Sequence, residues 1–241
     1  REGGAHGVRR EAEVYVHLLH MSDGSSYAYN SNASVPSASL NKVAIVYALA
    51  NMWQDGLIDI EREVPYIREM VLESEIKGKN AKFKQFSPDG QKSFKLTDLS
   101  YLGIAESGNT PVDLILYAMG SNGTYKENPT KEEIGEQVKR GIQKVNYYME
   151  KAGFFGIKVR SPYLDKEKLE AIGFRGIDHT DNVTTAEEAN RFDVFIKQRG
   201  NLNPEYLELL TGPMSKEQKG RPWQDILGGV DFGKGGVDKF V

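Results

Sequence analysis

The longest apolar segment of the chain, VAIVYALANMW at residues 43–53, is hydrophobic almost all the way round a helix, which predicts a helix running through the middle of the protein. Upstream, EVYVHLLHMSDGSSYAYN at residues 13–30 alternates in part between apolar and polar positions around an Asp23-Gly24 turn, the pattern of a β-hairpin. Residues 55–94 mix turn formers with a charged segment near residues 66–77 that reads as helical. Beyond them helix starts recur. Thr97 precedes DLSYLGIAES, Thr110-Pro111 precedes VDLILYAM, and Thr130 with Glu133 and Thr185 with Glu188 have capping-box spacing. Ile134, Val138, Ile142, Val145 and Met149 form a stripe at steps of three and four, one buried helix face. A further helix is expected from Asn203-Pro204 to near Gly212, and the tail WQDILGGVDFGKGGVDKFV is glycine-rich with strand-like patches. Strands at both ends around a helical middle give an α+β expectation. It is a single domain over residues 1–241, with an antiparallel sheet from residues 1–36 and 223–241 and a helical region at 37–222.

Composition narrows the function classes. The 241 residues are 39% hydrophobic, enough to fill a sizeable core. Thirty-one basic against thirty-four acidic side chains leave a net charge of -3 without a basic block, so no nucleic-acid partner is expected. The absence of cysteine excludes disulfides, thiolate nucleophiles and Cys-ligated metals, and leaves the compartment open. No apolar run is long enough to span a bilayer. His6, His17, His20 and His179 form no ligand motif, and neither metal nor cofactor is expected. Tyr147-Tyr148 and Phe154-Phe155 read as packing residues at a helix end.

One lysine interrupts the entry to the apolar helix, in SVPSASLNK. If the helix begins near Ser39, Lys42 stands one turn on, on the same face, and its amine can approach the Ser39 hydroxyl. An ammonium at the root of a buried helix is costly unless hydrogen-bonded, and burial favours the neutral amine that can take a proton. Ser39 is therefore a candidate nucleophile and Lys42 its activator. Ser-x-x-Lys occurs a second time, as SEIK at residues 74–77, where the charged surroundings read as a solvated helix. Ser107-Gly108-Asn109 falls in a break between two helices, either a plain turn or a corner presenting a hydroxyl and a carboxamide. Lys234-Gly235-Gly236 follows a strand-like segment, where glycine would let a substrate lie against backbone and the lysine would attract a carboxylate.

In this order the three pieces resemble the motifs S-x-x-K, S-x-N and K-[TS]-G of the penicillin-recognising serine hydrolases, the class A β-lactamases and D-alanyl-D-alanine peptidases. NVTTAEEANRF also resembles the start of that family's helix after the omega loop. The resemblance implies that Ser39 attacks an amide carbonyl, Lys42 takes its proton, Ser107 passes a proton to the leaving nitrogen, and Asn109 and Lys234 hold the substrate. The strand at Gly236 would lie alongside, and the N–H groups of Ser39 and Val237 would form the oxyanion hole. It implies a small β-lactam or peptide substrate, a monomer, and export to the periplasm or cell surface.

Three features depart from the pattern. Residues 161–185, SPYLDKEKLEAIGFRGIDHTDNVTT, lack the Glu-x-x-x-Asn spacing whose glutamate activates the deacylating water, leaving Glu167 and Glu170 as the nearby acids. Gly235 replaces a hydroxyl expected to bond the substrate carboxylate, a loss of about 1.5–3 kcal/mol. The strands and helix expected after the third motif do not follow it, while GVRREAEVYV at residues 7–16 resembles one of those strands: either the chain is permuted or fragmented, or Lys234-Gly235-Gly236 is not the third motif. Three readings follow. One is a serine hydrolase working through a Ser39 acyl-enzyme, another a degenerate relative that binds a peptidoglycan-like ligand without turnover, and the third a helical interaction domain.

Overall fold

A computed structural model describes residues 13–77, 83–86, 88, 90–126 and 128–214. The expected hairpin is present as β1 (Val16–Leu19) and β2 (Ser26–Tyr29), antiparallel with Leu18 opposite Tyr27. After the short strand β3 (Val35–Pro36) and a 3-10 turn at Ala38–Leu40 comes α1 (Asn41–Gln54), buried on nearly every side as its all-round apolar sequence requires. Strand β4 (Glu63–Pro65) leads to α2, a single turn at Glu73–Ile76. Strand β5 (Ser93–Lys95), which pairs with β4, runs into α3 (Leu96–Ala105). Helices α4 (Asn109–Gly120) and α5 (Lys131–Lys151) follow, then α6 (Lys166–Ala171), strand β6 (Val183–Thr184), α7 (Ala186–Lys197) and α8 (Pro204–Met214). This is the α+β architecture expected. The parts of the proposed sheet assigned to residues 1–12 and 223–241 lie outside the described residues.

Around α1 the core is assembled from α3, α4, α5 and α8, and the predicted stripe Ile134, Val138, Ile142, Val145 and Met149 on α5 is buried in it. The Thr130–Glu133 capping box is complete. At the other, Thr185 accepts the Glu188 N–H, but the Glu188 carboxylate turns away to the N–H groups of Phe155 and Gly156, tying α7 to the residues that follow α5. Of the aromatic pairs, Tyr148 and Phe154 are core residues, whereas Tyr147 and Phe155 are exposed.

The charged segment at residues 66–77 is not one helix. It forms a 3-10 turn at Arg68–Met70 and then α2, with Val71 and Leu72 extended between them. Ile67, Met70, Val71, Leu72 and Ile76 are all buried, a spacing that one face of a helix cannot satisfy, and the Leu72 N–H is taken by Thr110 Oγ1 at 3.0 Å.

Two glycines set the distance between α4 and α5. A Cβ on Gly120 would stand 1.7 Å from the Gln137 carbonyl oxygen, and one on Gly141 would stand 2.0 Å from that of Leu116. Neither obstacle is a side chain that can swing aside. Gly141→Ala, which in an unpacked helix would gain about 0.5–1 kcal/mol, is therefore expected to cost about 3 kcal/mol through forced separation of the helices. Urea unfolding of the variant measures this.

Candidate active site

Three segments distant in sequence meet at the start of α1. The first is the turn carrying Ser39. Strand β3 pairs with β6, Val35 opposite Thr184, and the Ser37 N–H and hydroxyl both donate to the Asn182 carbonyl at 2.8 and 3.1 Å. Ala38 adopts a left-handed conformation, φ 47°, unusual outside glycine and a mark of a turn held by its surroundings. Ser39 follows with its side chain exposed, and Asn41 anchors the first turn of α1 by donating to the Lys158 carbonyl at 2.9 Å.

Lys42 lies on α1 with 2% of its surface exposed. Its Nζ donates to the Ser107 carbonyl at 2.5 Å and to Ser107 Oγ at 3.3 Å. Ser107 Oγ in turn lies 3.0 Å from Ser39 Oγ. Ser39, Lys42 and Ser107 are thus brought together, with hydrogen bonds linking Lys42 to the Ser107 hydroxyl and that hydroxyl to Ser39, where the sequence reading places the Lys42 amine directly against Ser39. Ser107 is also left-handed, φ 54°, which turns both its carbonyl and its hydroxyl toward Lys42. Asn109 begins α4, two residues on. Lys234, Gly236 and Val237 lie outside the described residues.

The third segment is the loop before α6. Tyr163 places its ring 5.0 Å from Lys42 Nζ, a cation–π distance, and donates its hydroxyl to the Ala38 carbonyl at 3.0 Å. Its backbone N–H bonds both carboxyl oxygens of Asp113, at 2.8 and 3.0 Å. The loop's path is fixed further by the fully buried Asn182, whose side-chain oxygen accepts the N–H groups of Arg160 and Ser161 while its amide donates to the Ser161 carbonyl. Glu167 and Glu170 are exposed on α6, and Glu170 lies 3.9 Å from Lys166.

The sequence reading missed Tyr163, Asp113 and Glu75. Asp113 had a signal, since it is the lone charge in the apolar run VDLILYAM. Glu75 belongs to SEIK, read as solvated, yet its carboxylate accepts the N–H groups of Asn109 and Thr110 at 2.7 and 2.8 Å. Nothing in sequence spacing ties Tyr163 to Lys42.

The description that matches this chain over residues 7–221 is that of the beta-lactamase enzyme family. The chain belongs to that family. Solved structures agree on the fold. A β-lactamase from Chitinophaga pinensis superposes with a TM-score of 0.62 at 14% identity, covering 86% of this chain and 65% of that one. A class A β-lactamase variant of the last common ancestor of Gram-negative bacteria gives 0.58 at 19% identity, with 86% and 65% covered. A mutant of PBP-A, solved as an acyl-enzyme complex with penicillin G, gives 0.58 at 14% identity, with 83% and 61% covered. The chain therefore spans somewhat under two thirds of the length of these structures. A search of curated proteins gives no match.

In this beta-lactamase-family chain the burial of Asp113 raises its carboxyl well above the usual carboxylate range. The Tyr163 N–H opposes the shift, the Glu75 charge adds to it, and Lys42 opposes it. Between the unfolded value, about 3.9, and the raised folded one, the folded state holds a proton that the unfolded state has released. Stability therefore falls as pH rises through that window. Asp113→Asn keeps the shape without the titration, so its melting temperature relative to the parent is expected to rise as pH is raised above the unfolded carboxyl value of about 3.9. Thermal denaturation at a series of pH values checks this.

Proposed function

We propose that the chain acts as a penicillin-recognising serine hydrolase that acylates readily and releases slowly. Ser39 Oγ forms a bond to the carbonyl carbon of a β-lactam or D-alanyl peptide amide. The serine proton passes along Ser107 Oγ to Lys42 in its neutral form, and returns through Ser107 to the leaving nitrogen as the C–N bond breaks. Asn109 holds the substrate amide, Lys234 attracts its carboxylate beside Gly236, and the N–H groups of Ser39 and Val237 receive the oxyanion. The observation that carries this reading is the hydrogen-bonded line from Lys42 through Ser107 to Ser39. Family membership supports it, and so does the acyl-enzyme formed by the structurally similar PBP-A mutant.

Slow release is supported by the residue that faces the pair. From the loop before α6, the group reaching Lys42 and the Ser39 turn is a phenol, and burial raises its pKa above the ordinary tyrosine value. A neutral phenol is a poor base toward a deacylating water, and Glu167 and Glu170 are solvent-exposed on α6. Reversible binding without an adduct would instead favour the degenerate reading, a family member that holds its ligand without chemistry. Exposure to penicillin G followed by intact-mass analysis separates the two. An adduct on Ser39 that persists is expected, and reversible binding alone would replace the hydrolase reading by the binding one. The family resemblance further suggests a monomer exported from the cytoplasm.

A further inference from the structure

The Ser107 corner is held from one side by Lys42, and what holds the other side is not part of the motif. Helix α4 starts without a cap of its own, because its N-cap residue is Gly108, which has no side chain to offer. A larger residue has no room there. A Cβ on Gly108 would come within 2.9 Å of the Phe83 ring and 2.8 Å of Pro111. The first two N–H groups of the helix are satisfied from outside, by the carboxylate of Glu75, one oxygen each to Asn109 and Thr110 at 2.7 and 2.8 Å. An anion there also meets the positive end of the helix dipole. Glu75 is itself fixed, since its carbonyl accepts the Phe83 N–H at 3.0 Å, and three residues earlier the Leu72 N–H is bound by Thr110 Oγ1.

Resting on the function proposed above, we infer that Glu75 is a positioning residue for acylation, the external clamp that keeps Ser107 in its left-handed conformation between Ser39 and Lys42. The chain of effects is short. A non-glycine residue at φ 54° relaxes toward right-handed or extended backbone unless its flanks are pinned. The peptide that follows Ser107 is held by the bond from the Gly108 N–H to the Leu102 carbonyl and by Lys42 on the Ser107 carbonyl, and the next two N–H groups are held by Glu75. Release of the second set lets Ser107 Oγ leave the line through which the proton moves. Glu75 touches no reacting atom.

Glu75→Gln is the informative variant. It has the same shape, but its amide can accept only one of the two N–H groups and turns a donor toward the other. With a fluorescent penicillin, the maximal acylation rate of Glu75→Gln is expected to fall at least tenfold, with a smaller change in the half-saturating concentration. Thr130→Ala, which removes the cap of α5 away from Ser39, serves as the control for lost stability. It is expected to lower the melting temperature at least as much as Glu75→Gln and to acylate at the parent rate. Equal acylation by Glu75→Gln and the parent overturns the inference, as does a loss of rate that Thr130→Ala reproduces. Backbone hydrogen exchange at Asn109 and Thr110 reads the clamp without any reaction, and faster exchange in Glu75→Gln is expected. Unchanged exchange there overturns the clamp whatever the chemistry. A parent that never acylates, with exchange still accelerated, overturns the catalytic role and the hydrolase reading together while leaving the capping contact in place.

Discussion

Ser39→Ala is expected to abolish covalent labelling by penicillin and to leave the protein folded. The serine hydroxyl is the group to which the acyl carbon would bond, so its removal leaves no substitute. Ser107 Oγ, 3.0 Å away, is the hydroxyl hydrogen-bonded to it. It is held by Lys42 on a left-handed backbone, where its proposed task is to carry the proton. The fold should not notice the change. Ser39 is exposed on a 3-10 turn that Ser37, Tyr163 and Asn41 hold in place through their own bonds, so a stability change within about 0.5 kcal/mol is expected. Gel fluorescence of labelled protein, alongside a melting curve, measures both. Labelling of the alanine variant at the parent rate would move the nucleophile elsewhere.

Lys42→Met should lower the acylation rate by about 10²–10⁴-fold, the usual contribution of a positioned general base. Methionine fills the space of the lysine stem within the buried helix root, and so isolates the amine from its packing. The thermodynamic cost is mixed. The Ser107 carbonyl loses the donor that now stands 2.5 Å away, at about 1–3 kcal/mol, while the desolvation cost of a buried amino group goes with it and offsets part of that loss. The rate should therefore change far more than the melting temperature. A variant within tenfold of the parent rate would take Lys42 out of the proton path.

What the sequence disclosed and what it hid divide along physical lines. Local periodicity announced the buried helix at residues 41–54, the hairpin and the stripe on α5, because those elements follow from spacing within one segment. Where burial was dictated by partners far along the chain, local pattern misled. Residues 66–77 look helical by composition, yet five apolar positions there are buried in the core, and the backbone extends at Val71 and Leu72 to deliver them. The site divides in the same way. Ser39 and Lys42 are one turn apart and could be paired from spacing, and Ser107 could be added by motif order. Tyr163 and Glu75 lie 56 and 32 residues from Ser107 along the chain, and they reach the trio through contacts that only folding creates. Asp113 lies between these cases, visible as a charge out of place in an apolar helix but uninterpretable until the Tyr163 N–H is seen against it.

The most direct test of the account is the mass of the intact protein after brief exposure to penicillin G, with the excess removed and the spectrum followed in time. The expected result is an increase equal to one whole penicillin, mapped by digestion to the peptide that contains Ser39, and still present long after the free drug is gone. No increase, an adduct on another residue, or prompt return to the starting mass with hydrolysed drug in solution would contradict it.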